Sequence, residues 1–182
     1  METISSTISN EMKSDTVIAV VVAIVCMLIY IRIRFSDVRF GISSIAALLH
    51  DVLVVLAFYA AARVSVSNTF VACMLTIVGY SINATIVIFD RVRENMKTMS
   101  HKDELKEVVN RSITQTMSRS IFTSLTTFIM VAVLYILGVT SIRDFALPLM
   151  VGIVCGAYSS ICLAGSLWYL LRVRFAPKKE QA

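Results

Sequence analysis

Residues 40–62 read FGISSIAALLHDVLVVLAFYAAA, and the reading of this run decides the fold. Apart from His50 and Asp51 it holds only apolar residues, glycine and serine. A helix of that length, rising about 1.5 Å per residue, reaches about 35 Å and so crosses a hydrocarbon core of about 30 Å. Backbone groups in lipid must be satisfied within a helix or a closed barrel, and a continuous apolar run lacks the alternation of a barrel strand. The run is therefore expected to span a membrane as a helix, with a carboxyl group at its centre.

Working outward, four further stretches have the same character: 16–31, 69–89, 120–137 and 145–171. They belong to a chain of 182 residues that is 57% hydrophobic and only 16% charged, with a mean hydropathy of +0.79. That composition excludes an ordinary soluble domain. The expected fold is all-α, a polytopic bundle of five transmembrane helices over 16–174, with a cytoplasmic tail at 175–182. Residues 1–15, METISSTISNEMKSD, lack the basic start of a signal peptide. An odd number of spans that begins outside suggests that an upstream span is missing.

The charges set the orientation. Of 17 Lys and Arg residues, all but Lys13, Arg63 and Arg143 fall in one set of alternating segments, which contains Arg32 to Arg39, Arg91 to Arg119 and the tail from Arg172. By the positive-inside rule this set is cytoplasmic, so the N-terminus lies outside and the C-terminus inside. The net charge of +5 is thereby explained by anionic headgroups of the lipid membrane, without nucleic acid. Tyr30, Phe35, Phe40, Trp168 and Tyr169 are placed as interfacial aromatics.

The longest connection, 90–119, has capping-box spacing at Ser100 and Asp103. Leu105, Val108, Val109, Ser112, Ile113 and Thr116 then recur at helical spacing. It reads as a cytoplasmic amphipathic helix running into the fourth span.

Ionisable residues within a membrane are costly and usually face a protein interior or a water-filled path, so Asp51 is the first candidate for a site. It allows two roles, a hydrogen-bonded link between helices or a group that takes up and releases a proton. His50 lies about 100° away around the helix and reads as a packing residue. The third span offers Ser81, Asn83 and Thr85, and the fourth offers Arg119, Ser120, Thr123, Ser124 and Thr127. Asp51, Asn83 and Thr127 fall at compatible depths between the midplane and the cytoplasmic boundary, Arg119 opens the fourth span, and a polar seam among the second, third and fourth spans is expected, with ordinary interhelical hydrogen bonding as the alternative. In the fifth span Gly152 and Gly156 form GxxxG on a small-residue face suited to close packing, and Pro148 sits in its first turns. No HExxH, GxSxG or Walker loop occurs, and the four cysteines lie inside spans without metal-ligand spacing. No enzyme, metal or cofactor is expected.

Four runs in order, LLHDVLVVL, IVGYSINATIVIFDRVREN, NRSITQTMSRSIFTSLTTF and FALPLMVGIVCGAYSSICLAG, closely resemble the SecF branch of the bacterial SecD/SecF protein-export family, within the RND superfamily. Gly79, Tyr80, Asn83, Asp90, Arg91, Arg93 and Glu94 carry the resemblance in the third span. It implies six spans with a large periplasmic domain after the first, so that the five spans here match the second to sixth and residues 1–15 the end of that domain. It also implies a place in the bacterial inner membrane and partnership with SecD, the SecYEG channel and the SecA-driven preprotein. Export would then draw on the proton motive force, in some members sodium. In that family a carboxylate typically follows the asparagine matched by Asn83 and works with an arginine matched by Arg119. Here Ala84 occupies the carboxylate position. Either the carboxylate of SecD suffices, or Asp51 contributes, or the subunit is mainly structural.

Overall fold

Apolar runs need partners only on one side in lipid, so packing is decided by where each helix places its small and polar residues. The computed structural model describes residues 6–34, 37–63, 68–99 and 104–174. Within them the chain forms α1 (Ser6–Arg34), α2 (Val38–Ala62), α3 (Asn68–Lys97), α4 (Leu105–Leu137) and α5 (Thr140–Tyr158). A π-helical segment, Ser159–Ala164, then leads without a break into α6 (Gly165–Arg174). Five helical stretches are long and apolar enough to cross a membrane, the last being α5, the π segment and α6 taken together. The chain is an all-helical membrane bundle.

Local chemistry sets several ends. Asp37 caps α2, its carboxylate accepting from the Arg39 N–H at 2.9 Å, and Arg63 closes it in the left-handed region at φ 52°. The helices overrun the hydropathy limits at their polar ends: α1 starts at Ser6, so residues 6–15 are helical, and α3 continues to Lys97. The amphipathic stretch from Leu105 is the first part of α4 and runs unbroken into the span. It buries Val108, Val109, Ser112 and Thr116 and exposes Lys106, Glu107 and Arg111. Ser100, Asp103, Phe35 and the tail 175–182 lie outside the described residues.

Two expectations are corrected. α5 begins at Thr140, so Pro148 lies more than two turns inside the helix, where the Asp144 carbonyl loses its i+4 amide donor. Phe40 and Trp168, placed as interfacial aromatics, turn into the bundle instead of outward: both are buried, with rings stacked 4.7 Å apart at 12°. They anchor one apolar cluster with Ile88, Phe89 and Val92 of α3 and Val109 of α4. A second cluster joins Val55 and Tyr59 of α2 to Phe70, Met74 and Ile77 of α3 and to Leu149 and Ile153 of α5. Along α2, α3 and the last span, buried polar residues lie among the apolar ones where these clusters meet. This middle layer holds Asp51, Ser81, Thr85, Ser159 and Ser160, all buried.

Close approach in this layer depends on glycine. A methyl group at Gly152 would lie 2.5 Å from Ile77 Cδ1, and one at Gly156 would lie 3.3 Å from Ser81 Cβ. Gly152 and Gly156 thus receive Ile77 and Ser81, one turn apart on α3.

Candidate functional site

The buried stripe of α2 runs Phe40, Ala47, Asp51, Val55, Tyr59, steps of about one or two turns on a single face. Asp51 belongs to this stripe and is carried into the core with the apolar residues on either side of it. None of its surface is exposed. Its Oδ2 accepts from Ser81 Oγ at 2.5 Å and from Ser159 Oγ at 2.7 Å, while Oδ1 lies 3.1 Å from His50 Nδ1. A second tier backs the first: Thr85 Oγ1 and Ser160 Oγ are 3.0 Å apart, and both reach the Ser81 carbonyl, at 3.2 and 3.3 Å. A buried carboxyl group is costly unless hydrogen-bonded, and here both of its oxygens are engaged.

The π segment makes this arrangement possible. Its first two residues reach different helices, Ser159 to Asp51 of α2 and Ser160 to Thr85 of α3. π segments are rare and concentrate at functional positions. Ser81 and Thr85 are visible in the sequence as an i, i+4 pair, but nothing there marks Ser159 and Ser160 as partners of Asp51.

A second polar region lies on the other side of α3. Residues 81 and 83 are about 200° apart on a helix, so Asn83 turns away from Asp51. It lines a pocket of about 70 Å³ between α3 and α4 with Tyr80, Ala84, Arg119, Ser120 and Ser124. Tyr80 Oη donates to Ser124 Oγ at 3.0 Å across the groove. Among the described residues, the Arg119 guanidinium meets no acid within 4.0 Å. The expected single seam is therefore two sites. Asp51 joins α3 and the π segment, and Asn83 and Arg119 share the α3/α4 pocket. Thr127 lines neither, its hydroxyl bonding back to the Thr123 carbonyl at 2.9 Å. His50 is the other departure, because its imidazole and the Asp51 carboxylate turn toward each other despite their divergence on the helix.

The remaining motif residues meet at the ends of the helices. Asp90 pairs with Arg34 of α1 at 2.9 Å, and Arg93 donates to the Arg34 carbonyl at 3.1 Å. Arg91 bonds Glu94 at 2.6 Å and Gln115 of α4 at 2.7 Å. Gly79 is partly buried with open space beside it. Among the described residues no group of three or more His, Cys, Asp or Glu side chains is placed to hold a metal ion.

These features define a polytopic α-helical membrane protein with one ionisable side chain, Asp51, sealed in the core and another, Arg119, lining a pocket between α3 and α4. The chain belongs to the SecD/SecF protein-export family: the family model for "Protein export membrane protein SecD/SecF, C-terminal" matches residues 1–174. It is 50% identical over 173 residues to the protein translocase subunit SecF of Alicyclobacillus acidocaldarius, covering 94% of this chain and 56% of that one. It is 43% identical over 184 residues to the translocase subunit SecDF of Bacillus subtilis, covering 100% of this chain and 25% of the other. The crystal structure of SecDF from Thermus thermophilus, a translocon-associated membrane protein, superposes with a TM-score of 0.86 at 44% identity, covering 93% of this chain and 23% of that one. The chain thus spans a little over half the length of its SecF relatives and about a quarter of the SecDF ones.

Proposed function

We propose that the chain forms the membrane portion of a protein-export subunit that works with SecD beside the SecYEG channel. In this reading an ion motive force helps to complete the export of unfolded chains delivered by SecA. The observation that carries it is Asp51, a carboxyl group within one residue of the midpoint of α2, fully buried and tied to α3 and to the π segment. A group at that depth that changes charge alters the bonds holding three helices together, which is what an energy-transducing subunit requires. The distribution of Lys and Arg supports a bacterial inner-membrane location with the C-terminus in the cytoplasm.

The α3/α4 pocket supports the partnership. Arg119 lines this pocket and, among the described residues, meets no acid within 4.0 Å, so a carboxylate from a SecD helix is the group that would complement it. Asn83 and Arg119 then line the contact between the subunits. One feature favours a second reading, in which the subunit is a scaffold without ion coupling of its own: Ala84 lines the pocket beside Arg119 and binds no proton.

The test is export of a secretory protein by the full-length, SecD-paired protein carrying Asp51→Asn, at high and at collapsed proton motive force. The coupling reading expects the variant at high force to export no better than the unaltered protein without it. An unchanged response to the force would leave the scaffold.

A further inference from the structure

Asp51 must exchange its ion with something, and the structure allows few routes. Its Oδ2 faces two serine hydroxyls whose onward contacts, Thr85, Ser160 and the Ser81 carbonyl, stay within the buried layer. That chain of hydroxyls ends inside the protein. Along α2, either helix end is about 18 Å from residue 50. Sideways the distance is one side chain: His50, in contact with Oδ1, is 38% exposed while Asp51 is buried. The His50 ring lies 6.4 Å from that of Tyr158 on α5, at the surface between the two helices.

We propose that His50 is the proton-transferring partner of Asp51, connecting the buried carboxylate to the side of the bundle formed by α2 and α5. This rests on the reading of Asp51 as the ion-binding group, and it specifies the ion and the side from which it arrives. The ion is a proton, because the group that faces Oδ1 is an imidazole nitrogen, which exchanges protons with a carboxylate. The remaining neighbours do not compete for it. α3 presents Ser81 and Thr85, the π segment presents Ser159 and Ser160, and α5 presents Cys155 and, beside His50, Tyr158. Among the described residues no Lys or Arg lies within 4.0 Å of Asp51.

Imidazole suits the task because each of its nitrogens can carry the proton. In the starting state Nδ1–H donates to ionised Asp51 and Nε2 is bare. A proton taken up at Nε2 gives the imidazolium, and the Nδ1 proton then passes to Oδ1. This leaves a neutral carboxylic acid whose O–H donates to Nδ1, with the imidazole in its Nε2–H tautomer. One proton has entered and one has reached Asp51. The reverse sequence releases it.

The experiment uses the full-length, SecD-paired protein in proteoliposomes and reads the increase in export caused by the proton motive force. Three variants are compared: Asp51→Asn, His50→Gln, which keeps an amide donor beside Oδ1, and His50→Ala. Transfer through His50 predicts that His50→Gln lowers the increase, read relative to the variant's own export without the force, by at least about a hundredfold, the lower end of what general acid–base groups supply. Imidazole in the medium should restore His50→Ala in part. If Asp51→Asn abolishes the increase while His50→Gln retains it, the relay is wrong and the site stands. If Asp51→Asn retains the increase, the site reading fails and the relay with it. Loss of the increase in both His50 variants with no restoration by imidazole would mean that the ring only packs, and would also overturn the proposal.

Discussion

Ser81 and Ser159 come from helices 78 residues apart in sequence, yet both donate to one carboxylate oxygen, and that shared acceptor makes a quantitative prediction. Removing either hydroxyl leaves Oδ2 with one donor. Removing both leaves Asp51 with His50 alone. Hydrogen bonds to charged groups contribute about 1.5–3 kcal/mol in soluble proteins, whereas interhelical bonds in membranes average about 0.6 and reach about 1.7. The upper membrane value applies, because the acceptor is a carboxyl group with no exposed surface. Ser81→Ala and Ser159→Ala should each cost about 1.5 kcal/mol, and the double variant about 4, a coupling of about 1 kcal/mol between neighbours sharing a partner. Equilibrium unfolding in mixed micelles can be followed by the fluorescence of Trp168, the single tryptophan, buried against Phe40. In an Asp51→Leu background the coupling should vanish. Additivity within about 0.5 kcal/mol with Asp51 present would refute the shared acceptor.

Two further predictions test the helix contacts and the pocket. Gly152→Ala should destabilise the bundle by about 1–3 kcal/mol through overlap with Ile77, and Ile77→Val on the α3 side should recover part of that loss in the same unfolding assay. Ala84→Asp should place a carboxylate in the pocket beside Arg119 and raise the proton-force response of export in the SecD-paired protein. No change in that response would count against an ion path through the α3/α4 groove.

The number of long apolar helices was legible because hydropathy reports the solvent of each helix face. Helix ends were less so: a helix that leaves the lipid keeps its backbone bonds while its side chains turn polar. That is why α4 starts at Leu105 and Pro148 lies deeper in α5 than hydropathy places it. The burial of Asp51 was legible from its place in the stripe with Ala47 and Val55, and the separation of Ser81 from Asn83 follows from helix geometry alone. The partners of Asp51 were not legible, because they depend on the register of the last span against α2 and α3. That register rests on Gly152, Gly156 and the π segment, and a π turn leaves no periodic signal in a six-residue run of small and apolar side chains.

The position of the polar layer suggests how a single proton could be felt across the bundle. Above and below it the helices touch through Ile77, Ile153, Ile88 and Phe89, and apolar contacts fix distance better than register because they have no direction. Hydrogen bonds are directional, and in the middle layer they tie α2 to α3 and to the π segment through the same oxygen, Oδ2 of Asp51. Neutralising Asp51 weakens both ties together, since a carboxylic acid is a poorer acceptor than a carboxylate. The three helices would then be held by contacts that tolerate sliding, and the π segment, already one residue out of step with an α-helix, is where the last span can absorb the shift. If so, cross-links between α2 and α5 placed above the layer should block the proton-force response, while cross-links between α3 and α4 should not.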